Sequence, residues 1–99
     1  FVEPNFSANA AKVQEFKQLA VDMGTTSPAL AMAWVLSRGE QMFSIPGTRS
    51  AKHLRELAGG AALSLTAEDL AAIDRVLPVG WAHGDRYNVS QWVGPERYC

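Results

Sequence analysis

The chain is 99 residues long, 47% apolar, with a formal net charge of −1 and a single cysteine. That length allows at most one domain, the apolar content excludes a disordered segment, and the near-neutral charge gives no reason to expect nucleic acid or a membrane surface as partner. Cys99, the lone cysteine, excludes a disulfide framework and makes a reducing cytoplasm the default setting.

No apolar run approaches the roughly 18–20 residues of a transmembrane helix, and no signal-peptide pattern opens the sequence. Phe1-Val2-Glu3-Pro4 reads as the middle of something longer. Residues 1–8 are expected to be irregular, because Pro4, Asn5 and Ser7 favour turns. Asn9 is a plausible N-cap for a first helix running to about Met23. Val13, Phe16, Ala20 and Met23 recur at spacings of three and four and form its apolar stripe. Lys12, Glu15, Gln18 and Asp22 take the other side. Gly24 is the expected left-handed residue that ends it.

Ser27-Pro28 starts a second helix, with the N-cap followed by proline at the first helical position. Leu30 to Leu36 contains no polar residue, so this helix should be buried on most sides. It ends at Gly39. Met42, Phe43 and Ile45 then form an apolar run too short for a helix, and Pro46 stops it, which reads as a short buried strand. A third helix, from about Ala51 to Ala58, ends at Gly59-Gly60, and residues 61–65 connect it to the next. Thr66 caps a fourth helix, with Asp69 completing a capping box. Leu70, Ile73 and Leu77 make its buried stripe, and Pro78 ends it. From Val79 onward the chain is a tail with Gly80, Gly84, Gly94 and Pro95, carrying Trp81, Tyr87, Trp92 and Tyr98.

The turn between strand and third helix carries the functional signal. Gly47 lets the backbone turn tightly or lets a ligand approach. Thr48 and Arg49 follow, and Ser50 caps the helix, leaving N–H groups of the next turn outward. A helix start with free N–H groups, two hydroxyls and a guanidinium is suited to an anion. His53 lies one turn on and can face the same anion. A capped helix start is also common plain architecture, so the residues alone leave both readings open. One cysteine and two separated histidines give no metal-ligand spacing.

The strand has no partner in this sequence. Its N–H and C=O groups would stay unsatisfied in a buried setting, and the second helix needs more cover than three short helices provide. The chain is therefore expected to be a piece of a larger α/β protein or to pair with another chain.

The motif IPGTRS followed by HLRE resembles the strand-8/helix-8 corner of the aldo-keto reductases. TSPALAMAWVLSRGEQMFSIPGTRS is similar to that family's helix-7 to strand-8 segment, LTAEDLAAIDRVLP to its extra C-terminal helix, and GDRY to a tail motif of several branches. The resemblance covers essentially the whole chain, in order. It implies the C-terminal part of a single (β/α)₈ TIM barrel domain, spanning 1–99, mostly helical with one short strand. The implied activity is NADP(H)-dependent reduction of aldehydes or ketones to alcohols. The implied partners are a small-molecule carbonyl substrate and the missing N-terminal part of the barrel.

Residue by residue, the resemblance places Gly47, Thr48 and Arg49 in the loop that grips the adenosine 2′-phosphate of NADP(H), and Ser50 at the helix start. His53 falls where the family often has a phosphate-facing side chain, and Glu56 matches the Glu that approaches the adenine amino group. Leu57 departs from the family's usual Asn and cannot make its hydrogen bond to adenine. The family's catalytic Tyr, Lys, Asp and His sit on earlier strands. Tyr87, Tyr98, Lys12, Lys17, Lys52, His53 and His83 do not stand in for them. Lys52 reads as a solvated charge, and Trp81 or Tyr87 as packing aromatics or part of a substrate cleft.

Two other functions compete. A non-catalytic, nucleotide-sensing member of the same fold, like a channel β-subunit, would keep the same cofactor corner. A helix-turn-helix DNA binder built on the first two helices is disfavoured, because the second helix is apolar and Arg38 is its only basic residue.

Overall fold

The computed structural model describes residues 2–85 and 87. Four helices carry the described chain: α1 (Asn5–Asp22), α2 (Ser27–Leu36), α3 (Ala51–Gly60) and α4 (Ala67–Val76). α2 packs against both α3 and α1, and α4 packs against α1, on the side where Ile73 also meets Leu30 of α2. Trp92, Gly94, Pro95, Tyr98 and Cys99 lie outside the described residues.

α1 begins earlier than the sequence suggests. Pro4 is its N-cap residue and makes no side-chain cap. Glu3 supports the first turn instead: its carboxylate accepts from the Ser7 N–H (3.3 Å) and the Ser7 hydroxyl (2.7 Å). Asn9 is thus inside the helix and is not its cap. The other end follows expectation. Gly24 takes φ +69°, its N–H donates to Val21 O, and the Thr25 N–H donates to Ala20 O, each at 2.9 Å. This pair closes the helix in a Schellman arrangement that a left-handed glycine permits. The chain bends by 88° here before α2.

The cap of α2 is Thr26, one residue before the expected Ser27, and its hydroxyl accepts from the Ala29 N–H at 3.4 Å. Proline tolerates either of the first helical positions, since neither needs its N–H. Only part of α2 is covered: Ala29, Leu30 and Ala33 are buried, while Trp34, Val35 and Leu36 are half-buried and Ala31 is exposed. The expectation of burial on most sides is not met within this chain. Arg38 lies over the Trp34 ring at 5.3 Å, a cation–π contact at the helix end.

α3 runs through both glycines to Gly60. Gly60 is where α3 meets α2. A Cβ there would run into Ala29 O and stand 2.6 Å from Met32 Cβ, whereas Gly59 faces open space. The capping box of α4 forms as expected: the Asp69 N–H donates to Thr66 Oγ1 (3.1 Å), and the Thr66 N–H donates to Asp69 Oδ2 (2.8 Å). The Thr66 N–H first, and then the Thr66 hydroxyl (2.8 Å), donate to the Asp69 carboxylate and hold it below its ordinary 3.8.

The core is small. Ala20, Leu30 and Ile73 meet at its centre, surrounded by Phe16, Leu19, Met23, Trp34 and Leu65. No single helix among the described residues is long and apolar enough to cross a membrane.

The short buried strand is not present. Residues 42–48 carry no strand among the described residues, and Phe43 is 89% and Ile45 96% exposed. Ser44 alone turns inward, its hydroxyl 3.2 Å from Met32 Sδ on α2. A strand is a ladder between two chain segments, and no other segment pairs with this one among the described residues. Its side-chain alternation survives without the ladder: Ser44 faces α2, and the two large apolar neighbours face away.

Candidate functional site

The residues after Pro46 converge on one open hollow, lined by Gly47, Thr48, Arg49, Ser50 and His53. Local chemistry builds it. The Thr48 hydroxyl accepts from the Ser50 N–H at 3.2 Å and donates to Ser50 O at 3.4 Å. This hydroxyl-closed turn directs the chain into α3. Ser50 adopts extended backbone (φ −117°, ψ 124°) and its side chain accepts from the His53 N–H at 3.4 Å. The Leu54 N–H donates to Ser50 O at 2.9 Å.

Two donors of the first turn remain. Among the described residues no acceptor serves the N–H of Ala51 or of Lys52. They are the orphan groups every helix start leaves, and they carry the positive end of the helix dipole. Arg49, Lys52, His53 and Arg55 are all exposed, and among the described residues none of them joins a salt bridge. No acidic residue occupies the first turn of α3. The corner is therefore a concentration of unpaired N–H and cationic groups in a chain whose net charge is only −1. Its chemistry fits an anion with several oxygens.

Of the six residues expected here, five line the hollow and Glu56 does not. Glu56 is half-buried on the following turn of α3, beside the half-buried Leu57. It lies three positions after His53, and so on the neighbouring part of the same helix face. Thr48 differs from expectation in one respect: its hydroxyl already bonds the Ser50 backbone and shapes the turn. His83, Asp85 and Tyr87 lie in the tail, whereas Arg86 is outside the described residues. No group of three or more metal-ligating side chains occurs among the described residues.

One partnership was invisible to local pattern. The Asn9 side chain donates from Nδ2 to His83 O (2.9 Å) and accepts at Oδ1 from the His83 N–H (2.7 Å), across 74 residues. No motif marks such a contact; the only hint is a polar Asn on the face of an otherwise regular helix.

The chain matches the Aldo/keto reductase family over residues 2–78. It is 36% identical over 87 residues to the probable aldo-keto reductase 1 of Glycine max, covering 88% of this chain and 25% of that protein. It is 31% identical over 86 residues to the aldo-keto reductase str7 of Strobilurus tenacellus, covering 87% of this chain and 26% of that protein. Pyridoxine 4-dehydrogenase of Escherichia coli K12 is 38% identical over 58 residues, 59% of this chain and 20% of that enzyme. The chain thus spans about a quarter of the length of the first two relatives. No solved structure matches it.

Proposed function

Since the chain belongs to the aldo/keto reductase family, we propose that it is the cofactor-binding corner of an NADP(H)-dependent oxidoreductase that reduces aldehydes or ketones to alcohols. The observation that carries the reading is the hollow at the start of α3, where Gly47, Thr48, Arg49, Ser50 and His53 meet. A dianionic 2′-phosphate there receives the Ala51 and Lys52 N–H groups and the Arg49 guanidinium. Glu56 is assigned to the adenine end; Leu57 supplies only apolar contact. Bound NADPH would supply the hydride, and this segment's own part is to hold the adenosine phosphate end in place.

The family's proton donor and its companions belong to the rest of the barrel. That remainder is also the partner of the 42–45 segment. Phe43 and Ile45 expose most of their surface, and large apolar groups so exposed mark a surface that another element covers. Pairing with neighbouring strands would turn this segment into the eighth strand of a (β/α)₈ barrel. The reducing, cytoplasmic setting expected from cysteine usage belongs to the same reading.

The test is a fluorescence titration of the complete protein with NADPH, followed by an aldehyde-dependent NADPH oxidation assay. Binding of NADPH tighter than NADH, with turnover, is expected. The 99-residue chain alone should oxidise no NADPH. Turnover by the chain alone, or a complete protein with no preference for the 2′-phosphate, overturns the reading.

A further inference from the structure

After α4 the chain does not leave the helices. It makes a turn in which the Trp81 N–H donates to Pro78 O (3.0 Å), with Gly80 at φ +80°. It then runs back to the N-terminal half of α1. Pro78 to Trp81 line an apolar hollow together with Phe16, Trp34 and Ile73. Two residues beyond Trp81 comes the Asn9 contact. A side-chain amide is a copy of a peptide group, with one donor and one acceptor side by side. Asn9 uses both on one residue, bonding the C=O and the N–H of His83. Backbone N–H and C=O have fixed roles, so only one orientation of the amide satisfies both bonds. Immediately after, Gly84 takes φ +86°, and a Cβ there would stand 2.5 Å from Asn5 Nδ2. The strap thus meets α1 at two successive residues of its own, through Asn9 and Asn5.

We propose that Asn9 is the latch of a strap formed by residues 78–84, which closes over the hollow between α1, α2 and α4 and opens as a unit when the latch is lost. This inference is independent of the cofactor reading, since the strap is anchored on α1 and the phosphate corner is on α3. The residue choice is specific. Leucine has Asn's size but neither bond. Aspartate keeps the acceptor for the His83 N–H and loses the donor to His83 O. The strap contributes no residue to the central core cluster of Ala20, Leu30 and Ile73, so its opening leaves that core intact.

Hydrogen exchange read by mass spectrometry on the complete protein tests the latch. In Asn9→Leu, the amides of Trp81 and His83, the two within 79–85 that have an acceptor among the described residues, should exchange about tenfold faster or more, as expected when two neutral hydrogen bonds are lost. Peptides from α2 and α4 should stay within about twofold of wild type. Asn9→Asp should fall between the two. Gly84→Ala, which leaves the amide intact but meets Asn5, should release the same segment. Unchanged exchange at 79–85 in Asn9→Leu, or acceleration spread evenly over α1, α2 and α4, overturns the proposal.

Discussion

Replacing Arg49 with alanine separates a phosphate reader from a loop support. Arg49 is exposed, and among the described residues it makes no salt bridge and no side-chain hydrogen bond. Its removal therefore leaves no buried partner unsatisfied, and the fold should keep its stability within about 0.5 kcal/mol. The loop is held by Thr48 and Ser50, which the substitution does not touch. On the proposed cofactor reading, what is lost is a charge-assisted hydrogen bond to the 2′-phosphate, about 1.5–3 kcal/mol. An exposed guanidinium is partly screened, so the low end applies, which corresponds to about a tenfold rise in Kd for NADPH. NADH lacks the 2′-phosphate, and its Kd should change by less than about twofold. The loss should also shrink as salt is raised, because exposed charges are screened over about 8–10 Å near physiological ionic strength. Fluorescence titration of wild type and Arg49→Ala with both cofactors, at low and high salt, measures each of these. Equal losses for NADPH and NADH would refute the reasoning, since they would mean that Arg49 shapes the loop and does not meet the phosphate.

Gly60→Ala should lower the unfolding midpoint of the complete protein: its Cβ meets Ala29 O and Met32, and overpacking costs about 1–3 kcal/mol. Gly59→Ala, into open space, should instead raise stability by about 0.5–1 kcal/mol through helix propensity, so a matching fall in both variants would sink the packing argument. Asp69 gives a pH signature. Its folded carboxyl titrates below 3.8 because the Thr66 N–H and hydroxyl donate to it, so its contribution is complete above 3.8 and disappears as pH falls through the lowered folded value. Thermal melts from about pH 5 to about pH 3 should therefore show a steeper acid loss in wild type than in Asp69→Asn; parallel curves would remove the capping box as the cause.

Local chemistry was legible wherever the interaction is local. The Thr66–Asp69 box, the Ser50 cap and the Gly24 stop each involve residues within five positions of one another, so their types and spacing carry the whole geometry. The convergence of Gly47, Thr48, Arg49, Ser50 and His53 on one hollow was legible for the same reason: Gly47 to His53 is one turn and one helix start. Capping chemistry also explains the errors. Pro4, Asn5 and Ser7 read as turn formers, but the Glu3 carboxylate bonds Ser7 and α1 begins at Asn5.

Other features depend on contacts that no short window contains. Gly60 reads as a helix stop, yet it is the point where α3 approaches α2 closely enough to exclude a side chain. Asn9 reads as a cap, and it is bonded to a residue 74 positions away. The apolar alternation at 42–45 reads as a strand, yet these residues carry none, because a strand exists only with a neighbour to bond. The sequence by itself determined the apolar alternation of residues 42–45, most helix ends and the geometry of the turn from Gly47 to His53, because each follows from nearest neighbours along the chain. Only the tertiary structure decided which helices touch, where the tail is tied down, and that Phe43 and Ile45 stand uncovered, because burial and long-range hydrogen bonds are properties of what lies opposite a residue in space.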